Sequence, residues 1–178
     1  LALQTLGNLD DVEDPETLAL YLNLSVDDLS LSEHLKHIDR VIGSTENFST
    51  KTHQMTMRAM KLLTHNDSKG AVLGFRDVLK VFDEHGDFND LDAFQQNKYC
   101  QSLYMFGAIN LDFKQEELAI HSFKLSIEHF EIMLLNENFT PHGRSGIYRD
   151  IGDAYRLMDK FKNAIEACHA QGGGQVYI

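Results

Sequence analysis

The chain is poor in the residues that break or staple structure. It has two prolines in 178 residues, Pro15 and Pro141, and no tryptophan. Long proline-free stretches exclude a loop-rich fold and favour helices, which tolerate proline only in their first turn. Two cysteines, Cys100 and Cys168, stand 68 residues apart without CxxC spacing. That excludes a disulfide scaffold and gives no zinc or redox signature, so both read as buried thiols in a reducing, cytoplasmic compartment. No apolar run approaches the roughly 20 residues of a membrane span, and no basic n-region with an apolar stretch marks a signal peptide. Basic residues are outnumbered: 16 Lys and Arg face 27 Asp and Glu, a net charge of −11. Nucleic acid and an anionic membrane surface are therefore not expected partners, since both need a positive footprint. The abrupt start at Leu1 suggests a piece of a longer chain.

What is present is helical periodicity. Asp14-Pro15-Glu16 is a helix start, with a cap, proline at the first helical position and an acid in the first turn. A short helix through about Asn23 follows, then one from about Val26 to Ile42 with Leu31, Leu35, Ile38 and Ile42 on one face and Gly43 as the stop. Ser44 to Thr50 reads as a loop. Further helices are expected over about 52–64, 69–84, 91–111, 116–135, 144–158 and 160–170. Their apolar stripes include Phe75, Phe82, Phe94, Leu103, Phe106, Leu118, Phe123, Ile127 and Phe130. Asn136 to Gly143, with Pro141, reads as a loop, and Gly172-Gly173-Gly174 opens a tail over 172–178.

Helix pairs joined by tight turns invite a search for a repeat. The sharpest unit is Tyr148-x-x-Ile151-Gly152-x-x-Tyr155, followed by Phe161 and Ala164. This pattern resembles the tetratricopeptide repeat (TPR), with large residues at positions 4, 7 and 11, small ones at 8 and 20, and an aromatic near 17. Cys168 and Gln171 fall at positions 24 and 27 and depart from it. The same register sets Leu103, Phe106, Gly107, Ala119, Phe123 and Ser126 at positions 4, 7, 8, 20, 24 and 27 of an earlier unit, with Asn110 as a departure at 11. A looser unit has Met55, Ala59, Leu62, Ala71 and Phe75 at 4, 8, 11, 20 and 24, with Arg58 mismatched at 7. Small residues at 8 and 20 let two helices approach, and large ones fill the space around them. The alanines Ala71, Ala119 and Ala164 lie 48 and 45 residues apart, longer than the usual period of about 34, as in extended members of the family.

The resemblance implies an all-α fold of antiparallel helix pairs stacked in a short right-handed solenoid. The three pairs would occupy about 52–84, 91–135 and 144–171, with residues 1–51 as a divergent capping pair. An ordinary antiparallel bundle with coincidental spacing stays open at this point.

No catalytic or metal constellation stands out among the side chains. Nine histidines are present, but His34-x-x-His37, Glu117 with His121, and Glu166-x-x-His169 each lack the second half that a metal site would need. These histidines read as solvent-facing. No phosphate-cradling Gly loop and no Gly-x-Ser-x-Gly occurs. The expectation is a non-catalytic module without cofactor or metal.

By resemblance to the family, such a module holds a protein or peptide partner along its first helices. The groove positions fall on His53 and Thr56 in one unit, on Gln101 and Tyr104 in the next, and on Arg149, Asp153 and Arg156 in the last. Arg149 and Arg156 are two turns apart on one face, with Asp153 spaced to pair with both. The Lys and Asn that clamp a terminal carboxylate in chaperone-tail-binding members are missing from every unit. A second reading is the sensory or regulatory region of a larger bacterial signalling protein, with its nucleotide cyclase, kinase or DNA-binding output elsewhere.

Overall fold

The computed structural model describes residues 9–24, 29–135 and 141–158. Among the described residues there are seven α-helices and no strand: α1 Pro15–Leu24, α2 Leu31–Ser44, α3 Phe48–Thr64, α4 Ser68–His85, α5 Ala93–Asp112, α6 Glu116–Leu134 and α7 Pro141–Leu157. Single 3-10 turns stand at Leu9–Asp11 and Phe88–Asp90. The fold is all-α and built of antiparallel helix pairs. It divides into two compact units, Leu1–Val81 and Phe82–Ile178.

The helix starts of the first unit carry side-chain caps. In the first unit Asp14 accepts from the Thr17 amide at 2.7 Å, with Pro15 directly behind it at the first helical position. Ser30 opens α2 through a reciprocal capping box with Glu33, so this helix starts about five residues later than the expected Val26. Such a box satisfies two amides that the helix itself leaves unpaired. Asn47 accepts from the Thr50 amide at 3.0 Å and starts α3 at Phe48. The expected loop over Ser44–Thr50 is thus corrected to a break of three residues. Pro141 is likewise the first residue of α7 rather than part of a loop, a position where its missing N–H costs nothing.

The first unit is centred on Leu18, Leu22, Ile38 and Val41, all at most 1% exposed. Arg40 fastens the 3-10 turn to this core by donating to the carbonyls of Leu9 and Val12 at 2.8 and 2.7 Å. Glu16 of α1 accepts hydroxyl bonds from Thr45 and Thr50, tying α1 to the start of α3. Two histidines expected in solvent are corrected here: His34 is 1% and His37 5% exposed. Both lie on the face of α2 that carries Ile38 and Val41. Burial pushes the His34 imidazole below its ordinary range, helped by the positive charge of Lys61. Among the described residues neither ring nitrogen of His34 has a hydrogen-bond partner.

In the second unit α5 and α6 pack along their whole length. Cys100, Phe123, Ile127, Phe130 and Met133 are buried with Ile147, Ile151 and Ala154 of α7. Ser126, the small residue at position 27, donates its hydroxyl to the Cys100 carbonyl at 2.9 Å inside this core. Phe94 is corrected from core to surface: it is 49% exposed near the start of α5. Leu118 is 41% exposed, so the apolar stripe of α6 begins at Ala119.

The repeat register is visible in the backbone. A Cβ placed on Gly107 would lie 3.0 Å from the Phe123 ring and 3.2 Å from the Ala119 carbonyl oxygen. Positions 8, 20 and 24 therefore meet at one close crossing. In the first unit Gly74 packs against Ala59, whose Cβ would stand 2.9 Å from a Cβ at Gly74. The two turns also match. Among the described residues Asn66 and Lys114 are the non-glycine residues with positive φ, 62° and 60°. Each is followed by an amide that reaches back five residues, Asp67 to Leu62 and Gln115 to Asn110, both at 2.9 Å. This is the Schellman ending, which satisfies the last carbonyls of a helix through one left-handed residue. Asn66 and Lys114 share position 15 of the register, 48 residues apart like Ala71 and Ala119.

Candidate binding groove between α5 and α7

The face that α5 turns toward α7 is set by helical spacing. Phe94, Asn97, Gln101, Tyr104 and Ala108 follow one another at intervals of three and four, which stacks them on one side. The capping box of Asp92 with Gln95 starts α5 early enough to include Phe94 and Asn97. Opposite stand Gly146, Ile147, Arg149 and Asp150 of α7, which with Phe94, Asn97 and Gln101 line an open cavity of about 390 Å³. Gly146 keeps it open, because a Cβ there would meet nothing within 4 Å.

The walls are amphipathic. Phe94 and Ile147 supply apolar surface, while Asn97 and Gln101 supply amides. Asp150 is half-buried, and burial pushes its carboxyl above the usual carboxylate range against the Arg149 guanidinium and a hydrogen bond from Gln101. Arg149 donates to Asp150 at 3.4 Å while its side chain stays 71% exposed, so the guanidinium edge is free to take a second acceptor. Deeper along the same face, burial and the neighbouring Asp153 charge raise the Tyr104 hydroxyl, with Arg156 opposing. The Tyr104 ring packs against Phe123 at 5.8 Å.

Of the residues singled out by sequence, Gln101 and Arg149 line this cavity. Tyr104, Asp153 and Arg156 lie along the same pair of helices. The expected ladder is corrected. Asp153 pairs with Arg156 at 3.3 Å, whereas Arg149 turns to its sequence neighbour Asp150. Adjacent helical residues point about 100° apart, but the long Arg149 side chain bends back onto the carboxylate. His53 and Thr56 belong to the first unit. His53 Nε2 lies 3.3 Å from Asn23 Oδ1, at the contact of α3 with α1. Thr56 is corrected from groove to interior: it is 6% exposed and its hydroxyl donates to the Thr52 carbonyl at 2.8 Å. Phe94, Asn97 and Asp150 were not anticipated as groove residues. Phe94 and Asn97 precede position 1 of the repeat and were signalled only by the Asp92–Gln95 cap.

Among the described residues no three His, Cys, Asp or Glu side chains gather as a metal site, and no helix is long and apolar enough to cross a membrane. Cys100 is a free, buried thiol, and burial holds its pKa well up.

No family model matches the chain, and no curated protein matches it in sequence. Its likeness is to solved repeat structures. The putative kinesin light chain of Podosopora anserina, described by its nearly identical TPR-like repeats, is 9% identical over 90% of this chain and 75% of that one, with a TM-score of 0.62. BtubC (BKLC) from P. vanneervenii is 14% identical over 98% of this chain and 71% of that one, also at 0.62. MamA is 12% identical over 91% and 78%, at 0.53. The chain thus has the architecture of helical-hairpin repeat proteins. Within that class its fold is of the TPR type.

Proposed function

We propose that the chain is a non-catalytic, cytoplasmic binding module that holds an extended, carboxylate-bearing segment of a protein partner in the groove between α5 and α7. The reading rests on one observation. The facing sides of two first helices leave an open cavity in which an exposed guanidinium, two side-chain amides and an apolar wall stand together. Amides serve a peptide backbone, and Arg149 serves an acidic side chain through charge-assisted hydrogen bonds.

The test starts from a peptide selected by the intact chain out of a display library of acidic sequences. Arg149→Ala combined with Arg156→Ala is expected to weaken that peptide about tenfold, an effect of the size expected for lost charge-assisted bonds. Gly146→Phe, which fills open space rather than packed core, is expected to abolish binding with the fold intact by circular dichroism. Undiminished affinity in both variants would refute the groove.

A further inference from the structure

Outside the groove, the segment from Val81 to Asn97 carries five acids, Asp83, Glu84, Asp87, Asp90 and Asp92, and no Lys or Arg. It links α4 to α5 and lines a second cavity of about 240 Å³, whose far wall is His129 of α6. The wall is aromatic. Phe88 stacks on His129 with centroids 4.2 Å apart and planes at 27°, and Tyr99 meets the His129 edge at 5.3 Å. Phe82 forms the floor, edge-on to Tyr99 at 5.4 Å. Two carboxylates line the same cavity, and no Lys or Arg does. Asp83 accepts from the Tyr99 hydroxyl at 3.1 Å, which sets the ring's orientation. Asp87 accepts from the Asn89 amide at 2.8 Å. In each of these bonds the acceptor is Oδ1. His129 Nδ1 is buried without a hydrogen-bond partner among the described residues, and burial lowers the imidazole pKa while the charges of Glu128, Asp87 and Asp83 oppose it.

An aromatic wall beside two carboxylates, with no Lys or Arg in the lining, attracts an organic cation. The kind of cation follows from spacing. With ring centroids 4.2 to 5.8 Å apart, the rings touch each other and leave no slot between them that could box a quaternary ammonium. A flat cation can lie on the wall while its edge meets a carboxylate, and guanidinium is the side-chain group built that way. We infer that this cavity is a second binding site, which takes an arginine side chain from a protein partner, with the guanidinium against the Phe88–Tyr99–His129 wall and its N–H groups on Asp83 and Asp87. The site shares no residue with the α5–α7 groove and stands whether or not that groove binds a peptide.

The test uses the full chain, amide-resolved NMR and acetyl-arginine-amide, whose blocked ends mimic a residue within a peptide. Saturable shifts confined to residues around Phe88, Tyr99 and His129 are expected, with Kd on the order of 1–10 mM for one stacked and paired side chain. Neutral acetyl-citrulline-amide is expected not to saturate, and acetyl-lysine-amide to bind about threefold more weakly or worse. Asp83→Asn with Asp87→Asn keeps acceptors for Tyr99 and Asn89 and is expected to weaken arginine about tenfold. Glu116→Gln with Glu117→Gln removes the same charge elsewhere and is expected to change nothing. Scattered or unsaturable shifts, equal binding of citrulline or lysine, or equal loss in the two double variants would overturn the assignment.

Discussion

Two glycines of the second unit, Gly107 in α5 and Gly146 in α7, should respond to the same substitution with opposite signs. Replacing an interior helical glycine by alanine removes backbone freedom from the unfolded chain and gains about 0.5–1 kcal/mol. At Gly146 nothing lies within 4 Å of the new Cβ, so Gly146→Ala should keep that gain whole. At Gly107 the new Cβ lands 3.0 and 3.1 Å from two Phe123 ring carbons and 3.2 Å from the Ala119 carbonyl oxygen. Phe123 is 1% exposed and cannot swing into solvent. Overpacking of this kind costs about 1–3 kcal/mol, more than the propensity gain. Gly107→Ala should therefore be about 1 kcal/mol less stable than the parent, and the two variants should differ by about 2 kcal/mol. At about 2–4 °C per kcal/mol for a chain of this size, the melting temperatures should separate by about 4–8 °C. Urea titration followed by helical circular dichroism gives the same comparison at constant temperature. Equal stabilisation by both variants would mean that α5 and α6 do not cross at Gly107 and that the repeat register is misplaced.

Lys114 holds φ 60°, a conformation that disfavours side chains with a Cβ; Lys114→Gly should stabilise the chain by about 0.5–1 kcal/mol after the entropy of the added glycine is counted, and a lower melting temperature would contradict the Schellman turn. His34, His37 and His129 all have imidazoles held below their ordinary range, chiefly by burial. The unfolded chain then takes up protons that the folded one does not, so their contribution is whole above about pH 6.5 and is lost as pH falls below it. Urea midpoints between about pH 7 and pH 5 should fall, and His34→Leu should flatten that slope. The same variant should gain about 1–2 kcal/mol at pH 7, because it removes two buried ring nitrogens without partners; a loss of stability would show that the imidazole has a partner after all.

Sequence reached the helices more surely than their edges. Position 8 and position 20 residues are legible because close helix crossings admit little else, and Gly107 and Ala119 do meet. Ser25 and Ser30 both offer a cap ahead of α2, and only the capping box with Glu33 settles the start at Leu31, whereas Asn47 is obscured because the apolar stripe of α3 begins later than its first hydrogen-bonded turn. Residue type alone places His34 in solvent, although it stands three residues after Leu31 and four before Ile38 on the buried face. Groove geometry was only partly legible. Helical register assigns a face, but whether Arg149 turns to Asp153 or to Asp150 depends on rotamers, and whether Thr56 is covered depends on the neighbouring helix.

The three-residue turn that joins α5 to α6 has a mechanical consequence. Because the two helices run back along each other, their outer ends near Cys100 and Met133 lie side by side, with the sulfurs 3.8 Å apart. A pull applied at those ends loads the pairing one layer at a time. The Cys100–Met133 contact would part first, then the Ser126 hydrogen bond, then the Gly107–Phe123 crossing, with the turn at Lys114 last. Such unzipping never stretches all the layers together, so this hairpin should yield at low force and re-close readily from its turn.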